Sequence, residues 1–223
     1  MPMVVSPTWM IVLVVALVAV IAYFLGCFNG AVIVSKYILR DDIRTHGSGN
    51  AGLTNFYRTF GGPLTLVVIL TDVIKAVIAV LLGAFLFSGL TVLDTWAPTW
   101  LILAKFWAGL FCMVGHMFPC MFKFKGGKGI LSGGTIAWMI DWRLAAVCWG
   151  GFLVLTILTR YVSLGSLSTG ITFPLMTWIL YQNWILLILG LVIGCLIIWK
   201  HRSNFMRLIS GTESKFSFHR KKE

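Results

Sequence analysis

Apolar runs close to the length of a bilayer-crossing helix recur from one end of this chain to the other, and they leave it few possible folds. A spanning helix needs about 20 consecutive apolar residues. The stretches near 9–39, 64–90, 95–113, 144–158, 165–180 and 185–199 approach or exceed that length, and 130–140 is a shorter one. Composition agrees: 59% of the 223 residues are hydrophobic and 11% are charged, against about 25% charged in a soluble domain. The expected fold class is all-α, a polytopic integral membrane protein built as a single domain over residues 1–223, with about seven transmembrane helices.

Charge sets the expected orientation. Lys36, Arg40 and Arg44 follow the first run closely, and loops rich in lysine and arginine stay on the cytoplasmic side. Threading the chain from there puts the N-terminus outside and the C-terminus in the cytoplasm. Of the 18 lysines and arginines, only Arg143 then falls outside, and Lys75 and Lys105 fall within spans. The first run has no basic segment before it and is too long for a cleavable signal peptide. The net charge of +11 does not imply nucleic acid, because the cations flank membrane spans, where anionic membrane lipid and orientation account for them. No obligate protein partner is evident. The five cysteines form no C-x-x-C pair and the histidines no H-E-x-x-H, so neither a metal site nor a cofactor is expected.

Against this background residues 115–134, GHMFPCMFKFKGGKGILSGG, stand out. Glycines 126, 127 and 129 allow backbone with φ > 0 and close approach to a ligand, and successive backbone amides in such a turn make an anion site. Lys123, Lys125 and Lys128 add charge there. Residues 47–58, GSGNAGLTNFYR, read the same way: Ser48, Asn50, Thr54 and Asn55 can bond phosphate or polyol oxygens, and Arg58 can fork onto a phosphate. Neither stretch is a nucleotide fingerprint. No βαβ pattern surrounds the G-x-G-x-x-G spacing, and GGKG lacks the rest of a P-loop. Asp72 and Lys75, three residues apart on one helix face, are either a structural ion pair or part of the site lining.

Together with 160–166, RYVSLGS, and 201–213, HRSNFMRLISGTE, these blocks resemble the acyl-phosphate-dependent glycerol-3-phosphate acyltransferases of bacterial membranes, the PlsY family. The four blocks stand in the family's order and spread from residue 47 to 213. The resemblance implies a multi-pass protein of the bacterial plasma membrane with its active site on the cytoplasmic face. It would transfer an acyl group from acyl phosphate to glycerol 3-phosphate, giving lysophosphatidic acid and inorganic phosphate, the first step of phospholipid biosynthesis. This chain departs from the family at Ala76, where a glycine is usual, and at Ile130-Leu131-Ser132, which bears on the shape of the acyl pocket.

A protein nucleophile is not expected. The His-x-x-x-x-Asp arrangement of another acyltransferase class is absent, since the fifth residue after each histidine that has one is Ala51, Met121 or Met206. Catalysis is expected to rest on positioning and charge stabilisation, and by resemblance a substrate phosphate oxygen takes the hydroxyl proton. The catalytic set would be Ser48, Arg58 and Lys128, with Lys128 and Arg58 clamping phosphate charge. Asn50, Thr54, Asn55, Ser163 and Asn204 would bind substrate oxygens, and the amides of Gly126 and Gly127 would face an anion. His116 is a candidate base or a structural histidine, and His201 and Glu213 match family positions. Two other classes fit parts of the pattern. A transporter of phosphorylated solutes would usually show an internal repeat, and none is found. A lipid-binding scaffold would need the basic face but not four separate glycine and hydroxyl loops.

Overall fold

The computed structural model describes residues 6–90 and 97–216; among these every regular element is helical. In lipid every backbone amide and carbonyl must be paired within the protein, which helices achieve segment by segment. The helices are α1 (Thr8–Cys27), α2 (Gly30–Ile33), α3 (Leu53–Thr59), α4 (Leu64–Ser88), α5 (Ala97–Met117), α6 (Ile130–Ile140), α7 (Trp142–Thr159), α8 (Val162–Tyr181), α9 (Trp184–Lys200) and α10 (Arg202–Ile209). By length and composition α1, α4, α7 and the stretch Thr99–Phe122 can each cross a membrane, and α9 with α10 passes the same test as a pair bent by 56°. The start of the third apolar run, near 95, and the basic residues Arg220, Lys221 and Lys222 lie outside the described residues.

The first expected span, near 9–39, is not one helix. It stops at Cys27 because buried Asn29 starts a new turn: its Oδ1 accepts from the Val32 amide at 3.0 Å, and its Nδ2 donates to the Ala51 carbonyl at 3.0 Å. A polar side chain in an apolar run thus ends one helix and ties the next to the 47–58 loop. The chain continues through a π-turn, Val34–Ile38, to Arg40, which holds φ 58°. Three other boundaries differ from expectation. The third span ends at Met117, so His116 lies in its last turn. Helix α8 begins at Val162, which puts Ser163 on a helix and not in a loop. The tail after Lys200 forms α10. The 130–140 segment is a helix of 11 residues, about 16 Å long at 1.5 Å per residue and well short of a 30 Å hydrocarbon core.

Small residues set the helix crossings. A Cβ on Gly115 would overlap the Tyr23 carbonyl and one on Gly26 the Cys112 carbonyl, so α1 and α5 meet backbone to backbone. Gly170 and Gly194 bring α8 and α9 together in the same way. Lipid tails are as apolar as leucine, so dispersion at such close approaches is what associates the helices. The fully buried interior includes Phe106, Met113, Ile136, Leu144, Leu186 and Ile193, while Phe85, Ile157 and Leu158 face outward.

Candidate active site

The 47–58 loop is held by one side chain. Asn55, at 6% exposure, donates through Nδ2 to the carbonyls of His46 at 3.0 Å and Asn50 at 3.1 Å, and its Oδ1 accepts from the Ser48 amide at 3.1 Å. The amide nitrogen has two hydrogens, which those carbonyls and that of Ile43 at 3.3 Å take. Asn55 therefore shapes the loop, and only its Oδ1, which can accept a second bond, is left for the substrate contact the sequence suggested. Ser48, Asn50, Thr54 and Arg58 are left facing a cavity.

The loop between α5 and α6 folds back on α5. The Gly127 amide donates to the His116 carbonyl at 3.1 Å, so it does not face an anion. Neither Gly126 nor Gly127 has positive φ; glycine is needed there because a Cβ would overlap the His116 carbonyl at 126 and the His116 ring at 127. Gly129 alone of the three is left-handed, at φ 78°, and it opens α6. What the turn presents is Lys128. Arg44 joins the two loops: it pairs with Asp42 at 2.7 Å and donates to the Phe122 carbonyl at 2.8 Å.

The C-terminal block supplies the opposite wall. Lys128 Nζ donates to Asn204 Oδ1. Asn204 Nδ2 donates to Glu213 Oε1 at 2.7 Å, and Arg207 Nε pairs with Glu213 Oε2 at 2.7 Å. Burial opposes ionisation of Glu213, but the hydrogen bonds from Asn204 and Arg207 outweigh it and hold the carboxyl below its ordinary value. The Ser163 hydroxyl is buried and lacks a partner of good hydrogen-bond geometry, although it lies close enough to that carboxylate to stabilise its charge. Burial pushes the Lys128 ammonium down to about 8 and the His201 imidazole down to about 4. Arg58 reaches the Ser214 carbonyl at 3.3 Å, so the last block also touches the first.

These walls enclose a cavity of about 740 Å³, within the range of ligand sites. Ser48, Asn50, Thr54, Asn55, Arg58, His116, Lys128, Ser163, His201, Asn204 and Glu213 all line it; Gly126 and Gly127 do not. Ile130, Leu131, Trp149 and Phe152 give it an apolar side. Sequence reasoning missed Arg207 and Ser166, which also line it. The signal for Arg207 was its place inside the 201–213 block. Asp72 lines the cavity as well and is paired with Lys75 at 2.7 Å, so both readings of that pair hold. No group of three or more His, Cys, Asp or Glu side chains suited to a metal occurs among the described residues.

Comparison with known proteins gives one family. The family model described as glycerol-3-phosphate acyltransferase matches residues 16–211. A glycerol-3-phosphate acyltransferase of Thermoanaerobacter pseudethanolicus is 39% identical over 89% of this chain and 94% of its own length. One from Halalkalibacterium halodurans is 38% identical over 91% and 94%. Among solved structures, the crystal structure of PlsY, an integral membrane glycerol 3-phosphate acyltransferase, in its glycerol 3-phosphate form has a TM-score of 0.78 at 29% identity, covering 91% of this chain and 96% of that one. Its lysophosphatidic acid form has a TM-score of 0.75 at 29% identity.

Proposed function

The chain belongs to the glycerol-3-phosphate acyltransferase family, and from that premise we propose that its acyl donor is acyl phosphate and its product lysophosphatidic acid. A hydroxyl oxygen of glycerol 3-phosphate attacks the acyl carbon. The bond from that carbon to the phosphate oxygen breaks, and inorganic phosphate leaves. The hydroxyl proton passes to a substrate phosphate oxygen, so no acyl-enzyme forms.

One observation carries this reading: Lys128, Arg58 and Ser48 line a single cavity that also has an apolar side. Such a cavity suits two phosphate-bearing substrates, one of them with an acyl tail. Lys128 and Arg58 are the groups to hold the charge on the leaving phosphate. Acyl phosphate is already activated, and a general base worth about 10²–10⁴ is dispensable. The test is the initial rate of the purified protein with each donor. Acyl phosphate is expected to support turnover, and acyl-CoA and acyl carrier protein thioesters are not; equal rates with acyl-CoA would move the chain to another chemistry.

We place the site on the cytoplasmic face of a bacterial plasma membrane, in seven crossings with the N-terminus outside, on the strength of the lysine and arginine asymmetry. Single cysteines at Lys123 and at Gln182, in a cysteine-free background, are expected to label from opposite sides; labelling from one side would overturn this orientation.

The depressed Lys128 value gives a pH dependence. Lys128 must be charged to bind phosphate. With its free-enzyme value near 8, kcat/KM is expected to fall with loss of one proton as pH rises through about 8, since that ratio reports groups of the free enzyme. A profile flat through about pH 9 would contradict the lowered Lys128 value.

A further inference from the structure

The cavity holds two histidines whose ring nitrogens the sequence could not tell apart, and their partners fix both. Lys75 sits beneath the cavity at 4% exposure. Its ammonium has three hydrogens and no acceptor; it is hydrogen-bonded to the Phe28 carbonyl at 2.8 Å and to His116 Nδ1 at 2.7 Å, and it pairs by charge with Asp72 Oδ1 at 2.7 Å. At the His116 contact the lysine donates, so His116 Nδ1 has to accept and the ring proton lies on Nε2. Asp72 is the other neighbour of Nδ1, but it stands farther off at 3.5 Å. A proton on Nδ1 would point at an ammonium. His201 is fixed the opposite way. Its Nδ1 lies 2.8 Å from the Ile197 carbonyl, a group that only accepts, so Nδ1 carries the proton and Nε2 keeps its lone pair.

Both rings line the cavity, and neither Nε2 has a hydrogen bond among the described residues. The His116 Nε2 lies against Gly127, in the turn that leads to Lys128. We infer that Lys75 and the Ile197 carbonyl lock the two histidines in opposite tautomers, so that His116 offers an N–H to a substrate phosphate oxygen and His201 a lone pair to a glycerol hydroxyl. His116 is then not a base at Nε2, because that nitrogen already bears the proton. Asp72 and Lys75 are positioning residues that act through His116. The ligand assignments rest on the acyltransferase reading above; the tautomers do not.

The experiment is ¹⁵N NMR of the detergent-solubilised full chain labelled at histidine, with His116→Gln and His201→Gln used to assign the two rings, and acyl transfer measured on the same sample. His116 is expected to show a protonated Nε2 and bare Nδ1, and His201 the reverse. Glycerol 3-phosphate should shift both Nε2 signals without exchanging the tautomers. In the neutral double variant Asp72→Asn/Lys75→Met the His116 pattern should become a mixture while His201 stays put; if that variant does not fold, the wild-type spectrum alone decides. In activity, His116→Gln, which keeps an N–H near the Nε2 position, should recover at least tenfold over His116→Ala, out of a loss of about 10²–10³ for one donor. A proton on His116 Nδ1, or on His201 Nε2, with turnover intact overturns this inference and leaves the acyltransferase reading standing. The expected tautomers without turnover of acyl phosphate would do the converse.

Discussion

Lys128→Ala is expected to slow acyl transfer by about 10²–10³, the ~3–4 kcal/mol that a charge-stabilising contact in a water-poor site is worth. Lys128 is flanked by Gly127 and Gly129, and its ammonium meets Asn204 Oδ1 in the cavity. The chain offers no spare cation in that turn. Lys123 and Lys125 are both exposed and neither lines the cavity. Lys128→Arg should recover only part of the rate, because a planar fork does not fit where a compact ammonium sits between the His116 turn and Asn204. Lys123→Ala should keep most activity. Initial rates at saturating acyl phosphate and glycerol 3-phosphate decide the matter. Equal effects at 123 and 128 would make the loop an orientation signal and nothing more.

The second large effect is on stability. Asp72→Ala removes the carboxylate that pairs with Lys75 inside α4 and leaves a buried ammonium with only the Phe28 carbonyl and His116 for company. Breaking one side of a buried pair typically costs about 3–5 kcal/mol, whereas replacing both members with apolar residues of similar size is often neutral. The thermal midpoint of Asp72→Ala should therefore fall well below that of Lys128→Ala, and Asp72→Leu/Lys75→Met should regain most of the loss. Intrinsic tryptophan fluorescence on heating reads both. A wild-type midpoint for Asp72→Ala would mean that the pair carries no structural weight.

Much of this was legible because lipid punishes polar residues, so those in a chain this apolar need a reason to be there. Blocks 47–58, 115–134, 160–166 and 201–213 could be picked out on that ground, and their residues do line one cavity. Other features were hidden because they depend on which partner a group finds in three dimensions. Asn55 has the chemistry of a ligand, yet its amide hydrogens are consumed by the carbonyls of its own loop. Gly127 looked like an anion-facing amide but is bonded to His116. Its glycine answers to the ring packed on it, which no local pattern reveals. The break at Asn29 was readable in principle, as a polar side chain with capping ability inside an apolar run. Helix α10 was harder: eight residues in a basic tail fold because Asn204 and Arg207 both reach Glu213, a contact made only after the chain turns back at Gly211.

The separate polar blocks are expected to form one phosphate site. A structure of the purified protein with glycerol 3-phosphate bound tests it most directly. Phosphate density is expected between residues 47–58 and 123–128, within hydrogen-bond reach of Lys128 Nζ. Density for the ligand elsewhere, with this cavity empty at saturating substrate, would contradict it.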